Sequence, residues 1–193
     1  MTVTPLANAA AQVDAVLRGS LRAPQVTAFF DEPTFTITYV VSDPVTRHAA
    51  VIDSVWDFDH ASGRTSFTSA DAIIAHVEAE RLTVAWILET HAHADHLSAA
   101  PYLQQKLGGK LVIGREIVTV QGAFAKIFNE GTEFARDGSQ FDCLINDGDM
   151  LMIGDIPLIA LHVPGHRAYG RHSCAGRSVR GCPRSSATVL LAG

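Results

Sequence analysis

The chain has 193 residues, 47% of them apolar and 18% charged, with a formal net charge of −5. That length supports one domain with a sizeable core, and the acidic balance argues against nucleic acid or an acidic membrane surface as the main partner. No apolar run approaches the roughly eighteen residues that would cross a bilayer. The opening MTVTPLANAAAQVDAVLRGS lacks the basic start and compact apolar stretch of a secretory signal. Three cysteines (Cys143, Cys174 and Cys182) form no disulfide framework. Together these features predict a cytoplasmic protein.

Residues 8–18 have helix-forming composition and read as an N-terminal helix or linker. TFTITYVV (34–41) and HAAVIDS (48–54), separated by SDPVTR, predict a β-hairpin. A helix is predicted over 69–81, with Ser69 as N-cap and Ile73, Ile74, Val77 and Arg81 at helical spacing. TVAWILE (83–89) is nearly all apolar, as a buried central strand should be. SAAPYLQQKLGG then reads as a helix closed by Gly108 and Gly109, KLVIG (110–114) as a strand, and 115–128 as a helix weakened at Gly122. Near the end, DGDMLMIGDIPLIALHVPGH predicts a turn, a strand, a tight turn at Gly154 and Asp155, and a strand over 156–162 that delivers His166.

THAHADHL (90–97) follows the central strand, where α/β sites usually form. Imidazole and carboxylate without a nearby thiolate suit zinc, iron or manganese. A loop is required, because on a strand His91 and His93 would share a face but stand about 7 Å apart. The other candidates have plainer readings. His162 reads as a strand cap, and His48, His60 and His76 as surface or helix-face residues. Asp53 could bond toward the His loop or simply serve a turn. Cys143 reads as a small apolar residue, since no basic neighbour would activate it. Asp147-Gly148-Asp149 reads as a turn rather than a calcium loop.

H-x-H-x-D-H after an apolar strand resembles the hallmark of the metallo-β-lactamase superfamily, and VPGH (163–166) is similar to its next element. VIDSVWDFDHASGRTS (51–66), THAHADHL and VQGAFAKIFN (120–129) look like the persulfide dioxygenase branch, the ETHE1-like proteins, whose bacterial members are sometimes called β-lactamase hydrolase-like. Ser54 stands where that branch would have proline. The resemblance covers about residues 26–166 and implies an α/β fold, the αββα sandwich, with the second half-domain largely missing. It further implies one Fe(II) per chain, with His91 and His166 as ligands. His93, Asp95 and His96 would act around that ion or hold a second one. The implied reaction oxidises glutathione persulfide with O2 to sulfite and glutathione. A glyoxalase II-like thioester hydrolase with one or two zinc ions, and a catalytically dead module, are the competing readings. A homodimer is left open.

The resemblance implies a third ligand, an aspartate just beyond the Pro-Gly-His turn. No Asp or Glu follows residue 155. All twenty acidic residues lie before residue 156, whereas 167–193 contains five Arg, two Cys and no acid. The expected organisation is therefore a helix or linker over 1–25, the metallo-β-lactamase-like domain over 26–166, and an atypical basic tail over 167–193. A shifted reading frame near codons 163–167 would account for such a tail.

Overall fold

The computed structural model describes residues 4–93, 96–129 and 133–162, together with the backbone of 188–190. The sequence-predicted residues Asp95 and His166, and nearly all of the basic tail, lie outside the described residues.

The chain opens with helix α1 (Pro5–Leu17), whose Thr4 side chain accepts a bond from the Ala7 amide at the N-cap. Six strands form the main sheet, in the order β1 (Gln25–Asp31), β2 (Thr36–Ser42), β3 (His48–Ile52), β6 (Thr83–Glu89), β8 (Lys110–Gly114), β9 (Cys143–Ile145). β1, β2 and β3 are antiparallel neighbours, and β3, β6, β8 and β9 run parallel. A small sheet joins β4 (Val55–Asp59), β5 (Arg64–Ser66) and β7 (Leu97–Ser98). Between these strands lie the helices α2 (Thr68–Ala79), α3 (Ala100–Leu107) and α4 (Ile117–Ile127). The second sheet is antiparallel: β10 (Met150–Ile153), β11 (Ile156–Leu161) and β12 (Thr188–Leu190).

Alternation along the strands sorts the core into two layers. Val40, Ala49, Val51, Val84 and Ile87 pack against Ile73 and Val77 of α2 and Leu103 of α3. Val41, Ala50, Ile52, Leu88 and Val112 face the other way, onto Ile153, Leu158 and Ala160 of the second sheet. The layer order is helices, sheet, sheet. On the outer face of β11, Ile159 and Leu161 pack on Ala9, so α1 is a docked helix.

The two sheets are stitched by polar contacts as well. Trp86 Nε1 donates to the Met152 carbonyl at 2.7 Å. Asp43, with a fully buried side chain, accepts from Arg22 Nη1 (2.8 Å), the Val45 amide (2.9 Å), Thr46 Oγ1 (2.8 Å) and the Asp155 amide (3.0 Å). This knot ties the β2–β3 turn of the first sheet to the β10–β11 turn of the second. Gly154 is required in it: its φ is +60°, and a Cβ there would lie 1.8 Å from Thr46 Oγ1.

Cover over the main sheet is incomplete at one edge. Val26, Phe30, Ile37 and Tyr39 share the face that elsewhere meets the second sheet, and all four are exposed, Phe30 by 59%.

Two expectations change. Ser69 does not cap α2: the N-cap is Phe67, and the Asp57 carboxylate on β4 accepts both the Ser69 amide (3.0 Å) and its hydroxyl (2.5 Å). A cap supplied from a neighbouring strand leaves no local sequence signal. The hairpin predicted for 34–41 and 48–54 exists as β2–β3, but β2 also pairs with β1, through a turn where Asp31 Oδ2 accepts the Thr34 amide and hydroxyl.

Candidate metal centre

The site lies where the parallel strands β3 and β6 end. Asp53 follows β3 in a left-handed conformation (φ 53°), and its amide still donates to Leu88 on β6 at 2.9 Å. That turn aims its carboxylate across at the loop leaving β6. Asp53 Oδ1 accepts the Thr90 amide at 2.7 Å and His93 Nε2 at 2.9 Å, while Oδ2 accepts the Thr90 hydroxyl at 2.7 Å.

These bonds set the chemistry of both imidazoles. Thr90 has a single hydroxyl hydrogen, and it is directed at an acceptor-only carboxylate. In the 2.8 Å contact between Thr90 Oγ1 and His91 Nδ1, the threonine oxygen is therefore the acceptor and Nδ1 carries the proton. The lone pair of neutral His91 is then on Nε2. For His93 the logic inverts. Its Nε2 donates to Asp53 Oδ1 at 2.9 Å, with Glu89 Oε2 in ion-pair contact at 2.9 Å, so in the neutral ring the lone pair is on Nδ1.

Glu89, the last residue of β6, is 5% exposed. Its Oε1 accepts the Ser98 hydroxyl at 2.5 Å, and Ser98 Oγ in turn accepts the Ala100 amide at 3.0 Å, at the start of α3. Thr36 Oγ1 lies 3.3 Å from Nδ1 of His96. The three imidazoles form a row, with centroids 4.2 Å apart from His91 to His93 and 4.2 Å from His93 to His96. Below them lies a cavity of about 370 Å³ whose walls include Pro101, Ile113, Ile117 and Phe141.

Burial alone would lower the His93 pKa, but the two carboxylates beside Nε2 outweigh it and raise it to about 9, so an ion bound at Nδ1 would displace that ring's second proton. Burial would raise Asp53, yet the hydrogen bonds from His93 and Thr90 hold it below the usual carboxylate range. For Glu89 burial wins and pushes its carboxyl up, His93 and Ser98 offsetting only part.

The sequence-predicted residues His91, His93 and His96 are brought together. Ligand atoms of Asp53, His91 and His93 lie within 4.8 Å of one another. With Asp53 engaged by Thr90 and His93, the two imidazoles fit a borderline divalent ion: nitrogen donors, no thiolate, and both ring lone pairs set by outer hydrogen bonds, as metal-binding histidines require. With centroids 4.2 Å apart, two imidazoles can be served by a single ion with bonds of about 2 Å. Sequence reading left Asp53 undecided between two roles and did not consider Glu89. The signal for Glu89 was present, since a charged residue ending an apolar central strand must find partners. His162 is exposed, and its amide donates to Asp147 Oδ1 at 2.9 Å. Cys143 is half-buried on β9.

A strand-end histidine loop beneath two facing sheets defines a metal-dependent class, and the comparisons place the chain within it. The chain belongs to the Metallo-beta-lactamase superfamily, whose family model matches residues 32–169. It is 53% identical over 141 residues to a probable metallo-hydrolase of Burkholderia pseudomallei, covering 73% of this chain and 48% of that protein. It is 41% identical over 128 residues to Glyoxylase B2 of Dictyostelium discoideum, covering 66% and 44%. Among solved structures, ETHE1 from Myxococcus xanthus superposes with a TM-score of 0.53 at 25% identity, over 74% of this chain and 49% of that one. The chain spans about half or less of the length of the curated relatives it matches.

Proposed function

We propose that this chain carries the metal-binding half of a persulfide dioxygenase-type enzyme, with one Fe(II) and a glutathione persulfide as substrate. The observation that carries the reading is the assignment of hydrogen bonds. Asp53 is hydrogen-bonded to Thr90 and His93, and Glu89 is held by Ser98 at Oε1 with Oε2 against Nε2 of His93, so the donors that face a metal among the described residues are imidazole nitrogens, a set suited to one ion rather than two. His91 would hold it through Nε2, with His166 as the second ligand. His93 stands beside them with Nδ1 available, and Asp95 and His96 complete the surroundings. The bound ion would supply adjacent open positions for sulfur and O2. The chain's own contribution is to keep two imidazoles aimed, next to a largely apolar cavity. The likeness to the Myxococcus xanthus ETHE1 structure supports this reading.

The balance would be one persulfide, one O2 and one water giving glutathione, sulfite and two protons. Residues 156–193 hold no acidic residue to supply the facial carboxylate of such sites, so turnover by these 193 residues alone should be low. The 41% identity to Glyoxylase B2 favours a second reading, hydrolysis of a glutathione thioester at zinc. Paired assays decide between them: oxygen uptake with glutathione persulfide on the Fe(II)-loaded chain, and thioester cleavage on the zinc-loaded chain. Thioester cleavage without oxygen uptake would replace the dioxygenase reading.

A further inference from the structure

We propose that Glu89 is a positioning residue of the metal centre: together with Asp53 it clamps Nε2 of His93 and commits Nδ1 of that ring to the ion. The inference rests on the metal-binding reading above and adds to it a residue outside the H-x-H-x-D-H motif.

Glu89 closes a strand that is apolar from Val84 to Leu88, and it lies on the helix side, in phase with Ile87. A buried carboxylate in that layer needs partners for its oxygens. Oε1 has one in Ser98, whereas Oε2 has no hydrogen bond among the described residues and lies in ion-pair contact with the His93 ring. Ser98 gives its one hydroxyl hydrogen to Oε1, an acceptor-only carboxylate oxygen, while its own oxygen accepts the Ala100 amide. His93 Nε2 stands 2.9 Å from Oε2 and 2.9 Å from Asp53 Oδ1. Two carboxylate oxygens from different elements therefore flank one ring nitrogen, Asp53 as the hydrogen-bond acceptor and Glu89 as a charged neighbour. Asp53 anchors the ring to the end of β3, and Glu89 with Ser98 anchors it to the end of β6 and the start of α3. With either anchor alone the ring could pivot about the remaining bond; with both, its plane is set.

The chemistry of the pair makes a sharp test. Glutamine is isosteric with Glu89 but offers one acceptor and one donor where two acceptors are needed. Its NH2 would oppose either the Ser98 hydroxyl or the His93 Nε2–H. In the second case the ring is driven to the tautomer with its proton on Nδ1, which blocks the lone pair meant for the metal. Ser98→Ala removes the outer anchor without altering charge.

The experiment uses the 193-residue chain labelled with 15N, zinc(II) as a diamagnetic probe and a competing chelator. Two readouts are taken: zinc affinity, and the imidazole 15N shifts that distinguish Nδ1-bound from Nε2-bound rings. The parent chain is expected to bind zinc through Nε2 of His91 and Nδ1 of His93. Glu89→Gln should weaken binding by roughly 10–100-fold and remove the Nδ1-bound signature of His93. Ser98→Ala should move both readouts in the same direction, by less. A role in folding alone would lower the melting temperature of the zinc-free chain yet leave both readouts of the folded fraction unchanged, and that result overturns the inference. If Glu89→Gln does not fold, unchanged affinity and an unchanged His93 signature in Ser98→Ala overturn it equally. A parent chain in which neither ring responds to zinc overturns the metal-centre reading and this inference with it, whereas a response confined to His91 overturns only the inference.

Discussion

Substituting Gly154 by alanine tests the link between the two sheets and, through β11, the course of the strand that leads toward residues 163–166. The added Cβ would fall 1.8 Å from Thr46 Oγ1 and 2.8 Å from Asp43 Oδ2, in a backbone conformation of φ +60°. The left-handed conformation costs a non-glycine residue roughly 1–2 kcal/mol. Displacing Thr46 removes a charge-assisted hydrogen bond from a buried carboxylate, worth about 1.5–3 kcal/mol. The expected loss is therefore about 2.5–5 kcal/mol, which in a chain of this size lowers Tm by on the order of 10 °C. Urea unfolding followed by tryptophan fluorescence reads it directly, because Trp86 spans the same interface through its bond to Met152. Thr46→Ala serves as the partner in a double-mutant cycle, and the glycine substitution should cost less in its background. A Gly154→Ala chain within about 0.5 kcal/mol of the parent, the ordinary range for an inconsequential surface change, would refute the knot as a structural tie.

Asp53→Asn, which leaves one acceptor for three donors, should lower metal affinity by about 10–100-fold in a chelator competition, and a variant binding at parent strength would show that Asp53 does not aim the histidines. Asp43 titrates well below the usual carboxylate range: burial would raise it, but the Asp155 and Val45 amides, Thr46 and Arg22 together outweigh that. Its contribution is therefore complete above the unfolded carboxylate pKa of about 3.9 and is lost as pH falls toward the folded value. Asp43→Asn should flatten the acid limb of a stability–pH curve measured from pH 5 downward, and an unchanged limb would contradict this. The exposed face of Val26, Phe30, Ile37 and Tyr39 should drive self-association, so Phe30→Lys should lower the sedimentation-average mass; a parent chain already monodisperse as a monomer would count against it.

What the sequence revealed follows the range of the interactions involved. The central strand and the helices after it were readable because apolar run length and periodicity are local properties, and β6, α3, β8 and α4 fall close to the ranges predicted from them. β1 was missed because its residues are at most half-buried, which blurs the alternation that marks a strand. The cap of α2 was misassigned because its acceptor, Asp57, is twelve residues away from Ser69. At the site the histidine cluster was visible as a motif, while its control was not. The proton on His91 depends on Thr90 and Asp53, separated by 37 residues in sequence and joined only by the parallel pairing of β3 with β6. Glu89 could have been suspected from its position in an apolar strand, but its partner Ser98 becomes apparent only once the loop folds back onto α3.

The central claim is that the imidazoles of His91 and His93 serve a single ion. Its most direct test is metal stoichiometry under native mass spectrometry, with the chain exposed anaerobically to excess Fe(II) and, separately, to excess zinc(II). One ion per chain with either metal, lost in His91→Ala, is the expected result. Two zinc ions per chain, the second lost in His96→Ala, would contradict it and establish a dinuclear centre.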